Sequence, residues 1–290
     1  MVKFQFKGLI CPVFTPFTQD KRTIDYDVIE KYGQYLKTKG IHGVLVNGTV
    51  GEGTCLRFEE HKRLAEEWLK VCRKHGLTML LTIGGVGVTE VYDLVEHAEK
   101  IGVDCITLLP DLFYKPRTEE DLVDYIKDVV KHCPTRPIYY HHIPTYTSVR
   151  LNLLRLYELL HSAIPNFDGI YYRHTNIEAA TNLLKEGHNI ILSTDTILVG
   201  VLTLGFETIS SISLNLYPEH VTEIYEYVLN GKWREARETN DKLFHRIKGV
   251  VAQQTFDWVE LLKREFNKMA DFKVGETRKP TITWNPWNRT

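Results

Sequence analysis

The feature that most constrains the fold is an alternation of short, continuously apolar runs with helix-length amphipathic segments. A run that is apolar at nearly every position is typical of a parallel strand covered on both faces, because a half-exposed strand would alternate apolar and polar residues. Strand candidates of this kind occur at residues 8–14, 43–47, 78–84, 105–109, 137–143, 169–173, 189–193 and 207–213.

The segments between these runs carry the 3.6-residue spacing and the end signals of helices. In residues 58–76, Leu64 and Trp68 share a face, and Gly76 is a suitable terminator. Thr118 can cap a helix whose first turn is acidic, as the helix dipole prefers. Eight strand–helix units predict an α/β fold, the (β/α)8 TIM barrel, with a site at the carboxyl ends of the strands. A doubly wound open sheet is the alternative, but the glycine-rich dinucleotide turn is absent after the first run.

The alternation stops at about residue 215, and the remaining apolar spacing is helical only. We therefore expect a barrel over residues 1–215 and a helical C-terminal extension over residues 216–290, packed together as a single structural domain. No linker rich in proline, glycine or serine divides the two.

Charge and composition limit the classes of binding partner that the sequence predicts. A formal net charge of −1 over 290 residues gives no electrostatic case for binding nucleic acid or an anionic membrane. The apolar runs are only strand length, so no transmembrane helix is expected. The five cysteines are dispersed and the histidines lack metal-ligand spacing, which predicts reduced thiols and no metal site. Without a signal-peptide pattern at the N-terminus, we expect a cytoplasmic protein that needs no cofactor.

The loop after the second strand, NGTVGEGTCL, combines closely spaced glycines with a hydroxyl at Thr49. Backbone N–H groups in such a loop suit the capture of a carboxylate or phosphate. The alternative is an ordinary glycine-rich connection, and the loop alone does not decide between the two.

Four stretches in chain order, GLICPVFTPF, GTVGE, YYHHIPTYTSV and IPNFDGIYY, together resemble the N-acetylneuraminate lyase and dihydrodipicolinate synthase family of (β/α)8 pyruvate aldolases. The lyase branch is the nearer one at VNGTVGEG and YYHHIPTYTSV. The resemblance implies a homo-oligomer, commonly a tetramer built from dimers. It also implies chemistry through a Schiff base between pyruvate and a lysine at the end of strand six, with a strand-five tyrosine moving the proton and loop hydroxyls holding the carboxylate.

This sequence departs from the family pattern at the positions that carry that chemistry. The lysine would follow Gly-Ile on strand six, where Tyr171 stands, and the tyrosine slot two residues before Ile-Pro on strand five holds His141. Of the two loop hydroxyls Thr49 remains, and Val50 replaces the second. Because a phenol cannot form an imine, we expect that the Schiff-base reaction has been lost.

Strand alternation predicts where the replacements point. Side chains at i and i+2 share a face, so Tyr139 lies with His141 and Tyr171 lies with Arg173. The register that the resemblance implies places His141 and Tyr171 in the barrel mouth, where the family has its tyrosine and lysine, and we expect both to be catalytic residues. The predicted substrate-binding residues are Thr49, Val50, Arg173, Tyr139, Thr147, Asp195, Thr196 and Ser213. Asp195, which matches one member of the lyase's acidic pair, can instead cap a helix, and Glu52 reads best as a structural loop acceptor.

Three functions remain open from the sequence. The first is an enzyme of lyase, cyclase or isomerase type that acts on a small polar or anionic metabolite by His/Tyr acid–base catalysis. The second is a catalytically silent pseudoenzyme that binds a keto acid, a sugar acid or a protein. The third is a conventional pyruvate-dependent sialic acid lyase that uses an unexpected lysine.

Overall fold

The computed structural model describes residues 4, 6–252 and 257–280. Within them, eight parallel strands pair in chain order and close into a barrel, because β1 also pairs with β8. The predicted (β/α)8 fold is confirmed, and every predicted strand is present. The strands are β1 Gly8–Pro12, β2 Gly43–Val46, β3 Thr78–Ile83, β4 Cys105–Leu108, β5 Ile138–His142, β6 Phe167–Tyr172, β7 Asn189–Ser193 and β8 Thr208–Ser210.

Helices follow each strand and cover the outside of the barrel. The helix predicted to stop at Gly76 does so, with that glycine in the left-handed region at a φ of 63°. Thr118 caps its helix in a capping box with Asp121. The helices are α1 Asp27–Thr38, α2 Phe58–His75, α3 Val88–Ile101, α4 Glu119–Val130, α5 Pro144–Thr147, α6 Leu153–Ala163, α7 Ile177–Thr181, α8 Leu198–Thr203, α9 Ser213–Leu216, α10 Pro218–Leu229, α11 Trp233–Val251 and α12 Trp258–Met269.

The barrel interior has its own small core. Its members come from the inward positions of the strands, and Phe4 covers its floor. Gly169 makes room in this floor, because a Cβ there would lie 2.6 Å from the ring of Tyr139. The inner core consists of Phe4, Ile10, Leu45, Leu80, Cys105, Tyr139, Tyr171 and Ile191. Their neighbours along the strands, such as Tyr140 and Tyr172, face the larger core under the helices, as strand alternation predicts.

The last helix, α12, joins loops from two sides of the mouth. Lys263 on α12 donates to the carbonyl of Thr15, after β1, and to Glu52, after β2. The indole of Trp258, at the start of α12, donates to the hydroxyl of Tyr146, after β5, over 2.7 Å. Residues of α12 therefore lie against the loops at the carboxyl ends of the strands. In the described ranges, none of the helices is both long and apolar enough to cross a membrane.

Candidate functional site

Two contiguous cavities open at the carboxyl ends of the strands, where the active sites of (β/α)8 barrels lie. The inner chamber, of about 30 Å³, is bordered by His141, Tyr171, Thr49 and Val50. The outer cavity, of about 700 Å³, lies between the loops after β5 to β8 and helices α11 and α12. Arg173 borders both and marks their junction. Another cavity lies at the opposite end of the barrel, beside His42 and Glu219, away from the carboxyl ends of the strands.

His141 and Tyr171 meet at the base of the inner chamber. They are paired residues on neighbouring strands β5 and β6, and their ring centroids lie 4.4 Å apart. Each is only 2% exposed. The pair therefore presents an imidazole and a phenol to the same enclosed volume.

Burial sets the protonation states of both groups. It lowers the pKa of His141 to about 3, with help from the positive charge of Arg173 and from His142. Burial also raises the pKa of Tyr171, against the opposing effect of the hydrogen bonds between its hydroxyl and those of Ser193 and Ser210. At neutral pH the site holds a neutral imidazole, which can accept a proton, and a neutral phenol, which can donate one.

Hydroxyl groups on both sides fix these two rings. Tyr171 donates a hydrogen bond of 2.7 Å to Ser210 on β8. Thr107 Oγ1, on β4, lies 3.5 Å from His141 Nδ1 and bonds Thr82 on β3 over 2.8 Å. A chain of polar side chains therefore crosses the barrel interior from β3 to β8.

Arg173 and Asp195 form the polar rim above the pair. Nη1 of Arg173 lies 3.5 Å from Asp195 Oδ2 and 3.4 Å from the carbonyl of Ser193. Asp195 Oδ1 accepts from the hydroxyl of Ser211 at 2.8 Å and from the N–H and hydroxyl of Ser213 at 3.1 and 3.2 Å. Asp195 thus binds the segment after β8, and the predicted alternative of a helix cap is wrong: α8 begins at Leu198 after an N-cap at Ile197 that makes no side-chain cap bond.

A buried ion pair between Glu52 and Lys263 holds the loop after β2 in place. Glu52, which lies in the left-handed region at a φ of 54°, accepts from Lys263 Nζ at 3.0 Å and from the Arg278 N–H at 2.8 Å. Both charged side chains of the pair are fully buried. Glu52 is therefore structural, as the sequence indicates, and the pair positions Thr49 and Val50 at the inner chamber.

The other predicted substrate-binding residues lie at different distances from the cavities. Thr196 lines the outer cavity. Ser213 does not line either cavity but supports Asp195. Tyr139 lies in the barrel floor, where its hydroxyl is 3.4 Å from Asp168 and its ring contacts Phe4. Thr147 is buried in α5, where its hydroxyl donates to the carbonyl of Ile143.

Sequence reasoning missed most of the residues that line the cavities, among them Tyr146, Trp258 and Lys248. Tyr146 and Trp258 border both cavities, and Lys248 lines the outer one. Tyr146 stands beside the Ile-Pro landmark, so the same strand-end argument could have found it. Trp258 and Lys248 come from helices far along the chain, and their helical spacing carries no sign of a site.

Other groups lie apart from the cavities. Tyr114 is 81% exposed on the loop after β4. Among the described residues, no three His, Cys, Asp or Glu side chains are grouped to hold a metal ion.

Comparisons with known proteins agree with the fold. The profile of the dihydrodipicolinate synthetase family matches residues 5–287. N-acetylneuraminate lyase of Mus musculus is 30% identical over 208 residues, which are 70% of this chain and 65% of that protein, so the chain spans about two thirds of that relative. N-acetylneuraminate lyase B of Xenopus laevis is 35% identical over 204 residues, 69% of this chain and 76% of that protein. The sialic acid aldolase structure from Aliivibrio salmonicida has the same fold, with a TM-score of 0.90 at 24% identity, and covers 98% of this chain and 93% of its own.

Proposed function

This chain belongs to the dihydrodipicolinate synthetase family, within which we propose that it performs acid–base chemistry on a small polar or anionic metabolite without forming an imine. The reaction class would be an elimination, cyclisation, isomerisation or aldol-type cleavage. The observation that carries the proposal is the contact between His141 and Tyr171, whose ring centroids lie 4.4 Å apart at the inner chamber.

The loss of the imine follows from the chemistry of the side chains. A Schiff base needs a primary amine within reach of the substrate carbonyl, and a phenol cannot supply it. None of the described residues that border the inner chamber is a lysine. Lys263, although buried nearby on α12, is committed to Glu52 and to the carbonyl of Thr15.

His141 and Tyr171, which stand in place of the family's tyrosine and lysine, suit complementary roles. The neutral imidazole of His141 is the general base, and the phenol of Tyr171 donates a proton or stabilises a developing oxyanion. Arg173 would hold the negatively charged part of the metabolite, because a guanidinium binds carboxylates in two-point geometry, and Thr49 would contact the part of the metabolite that reaches the inner chamber.

A trapping experiment tests the missing imine. The protein is incubated with pyruvate and sodium borohydride, and its intact mass is measured, beside a lysine-containing member of the family as the positive control. We expect no increase in the mass of this protein. A covalent pyruvate adduct would refute the proposal and favour a conventional lyase with an unexpected lysine, for which Lys248 in the outer cavity would be the first residue to substitute.

Metabolite profiling tests the catalytic pair. A cell extract is incubated with the wild-type protein, with His141→Ala, with Tyr171→Phe and with Lys242→Met, an exposed change on α11 outside both cavities. We expect at least one metabolite to be consumed by the wild-type protein and by Lys242→Met. A conversion that persists unchanged in His141→Ala and Tyr171→Phe would remove the pair from the mechanism.

One observation favours a second function, a silent binding protein. The inner chamber, at about 30 Å³, is no larger than the share of one water molecule in the liquid, roughly 30 Å³. A ligand held wholly outside it could bind without reacting. A metabolite that raises the melting temperature but is never converted would support this alternative.

We further propose that the protein is cytoplasmic and homo-oligomeric. The five cysteines are free, which suits a reducing compartment. The assembly, a tetramer or dimer, is an expectation from the family resemblance. Light scattering coupled to size-exclusion chromatography measures it directly.

A further inference from the structure

The inner chamber is too small to hold the bulk of an organic ligand, which must therefore lie outside it. A volume of about 30 Å³ holds one water molecule, and even a three-carbon keto acid is several times larger. The rings of His141 and Tyr171 fill the space beneath it. The outer cavity, at about 700 Å³, lies within the usual range for organic ligands, roughly 300–1,000 Å³. The bulk of any ligand therefore lies in the outer cavity and reaches His141 only at the junction beside Arg173.

The charges of the outer cavity favour an anion. Arg173 and Lys248 line it, and Asp195 is the only acid among the described residues that does so. Asp195 is already occupied, because Oδ1 takes three hydrogen bonds from Ser211 and Ser213 and Oδ2 faces Arg173. Arg173 uses only Nη1 for its two long bonds, which leaves Nη2 and Nε without a partner among the described residues. The guanidinium of Arg173 is thus available to a ligand, and Lys248, whose Nζ lies 5.7 Å from the ring centroid of Phe244, supplies a second cation at the cavity wall.

One side of the outer cavity is apolar, whereas polar side chains such as Thr145, His174 and Thr194 line other parts of its wall. The apolar side is formed by branched side chains from the loop after β7, from α7 and from the two C-terminal helices. Ile197 is 44% exposed there. Against this apolar side, a polyhydroxylated sugar would leave hydroxyls unpaired, which costs free energy. The apolar side includes Ile177, Ile197, Ile247, Val251, Leu261 and Leu262.

We propose that the outer cavity binds an amphipathic organic anion, with its charged group between Arg173 and Lys248 and an aliphatic or aromatic body against the isoleucine and leucine wall. This names the substrate class of the proposed function and rests on it only in using the same site. The charged group lies at the junction with the inner chamber, so the atoms beside it are those within reach of His141, directly or through one water.

Isothermal titration calorimetry with defined probes tests the class. Octanoate has the proposed chemistry, gluconate is a carboxylate with a polar body, N-acetylneuraminate is a sugar acid, and octanamide is the neutral counterpart of octanoate. We expect octanoate to bind at least about tenfold more tightly than each of the other three.

Lys248→Met, Arg173→Met and Ile197→Asn should each weaken octanoate binding, by about tenfold for Arg173→Met because it removes charged hydrogen bonds. Lys242→Met, an exposed lysine of the same helix outside the cavity, is the matched control and should keep the wild-type affinity.

The outcomes separate this inference from the proposed function. Gluconate or N-acetylneuraminate binding as tightly as octanoate, or no octanoate binding to the folded protein, would overturn the amphipathic class and leave His/Tyr catalysis standing. Unchanged octanoate affinity in both Lys248→Met and Ile197→Asn would also overturn it, and these surface changes do not threaten folding. A pyruvate adduct after borohydride reduction would instead refute the proposed function, whichever probe binds best.

Discussion

The phenol of Tyr171 on β6 donates a hydrogen bond of 2.7 Å to the hydroxyl of Ser210 on β8. The two strands are not neighbours, since β7 lies between them, so the bond spans the barrel interior. Tyr171 is 2% exposed and Ser210 is fully buried. The bond therefore fixes the ring that contacts His141, and its loss cannot be repaired by bulk water.

A double-mutant cycle should measure this bond. We expect Tyr171→Phe and Ser210→Ala each to lower the free energy of unfolding by about 1 kcal/mol, with a coupling energy of similar size, because a buried polar group loses its partner. Urea denaturation of the four proteins gives the values. Ser211→Ala is the control partner, since Ser211 bonds Asp195 and not Tyr171, and a coupling near zero for Ser210 would contradict the assignment.

The pH dependence of stability should report the buried imidazole. Burial holds the pKa of His141 at about 3 in the folded protein, below about 6.5 in an unfolded chain. The unfolded state then binds a proton that the folded state does not, so stability is complete above pH 6.5 and falls as the pH drops toward 3. We expect His141→Leu to reduce the slope of unfolding free energy against pH, between pH 6 and 4, by about 1.4 kcal/mol per pH unit.

Tyr171→Phe is the control for this slope. It alters the ring in contact with His141, but it removes a phenol whose pKa burial raises above its usual value near 10. Nothing titrating between pH 6 and 4 is lost, so the slope should stay at the wild-type value. A slope that does not change in His141→Leu would mean that the imidazole is protonated in the folded state.

The sequence was sufficient for the barrel and for the central pair of the site. Strands covered on both faces need apolar residues throughout, and this pattern located all eight. The two-residue alternation of a strand decided which residues share a face with Tyr171 and His141, and the register implied by the family resemblance decided that this face points inward. These inferences hold because each depends on residues close together in the chain.

The remainder of the site depends on contacts between distant segments. Trp258 meets Tyr146 across 112 positions, and Lys263 meets Glu52 across 211. A helix that packs over a barrel mouth has the same 3.6-residue spacing as one that packs on its side, so the spacing could not place α12. Tyr139 points into the barrel together with His141, but it lies at the barrel floor. An inward orientation does not determine how far a residue lies from the mouth.

Asp195 should matter for the segment after β8. Asp195→Asn removes the charge that draws three hydrogen bonds from Ser211 and Ser213 and one from Arg173. We expect the free energy of unfolding to fall by about 1–3 kcal/mol, the usual loss for bonds to a charged and mostly buried acceptor. Thr196→Ala, at the exposed neighbouring residue, should stay within about 0.5 kcal/mol of wild type. Equal stability of the two variants in urea would exclude a structural role for the carboxylate.

Of these substitutions, one at Lys263 should lower the free energy of unfolding the most. Its ion pair with Glu52 is fully buried, and its ammonium also donates to the carbonyls of Thr15 and Glu276. Lys263→Met leaves the carboxyl of Glu52 buried without its cation, and we expect a loss of about 3–5 kcal/mol in urea denaturation. Lys268→Met, an exposed change on α12, breaks a surface pair with Glu265 and should cost less than about 1 kcal/mol.

The cause of that loss can be separated from simple packing damage. Burial raises the pKa of Glu52 even with Lys263 present, and without the cation the carboxyl should take up a proton more readily. A carboxyl with a raised folded pKa stabilises the fold at low pH and loses that contribution as the pH rises. The deficit of Lys263→Met relative to wild type should therefore shrink between pH 8 and pH 5, and Glu52→Gln combined with Lys263→Met should recover much of it at pH 8. A deficit that is independent of pH and persists in the double variant would show that packing, and not the unpaired charge, is responsible.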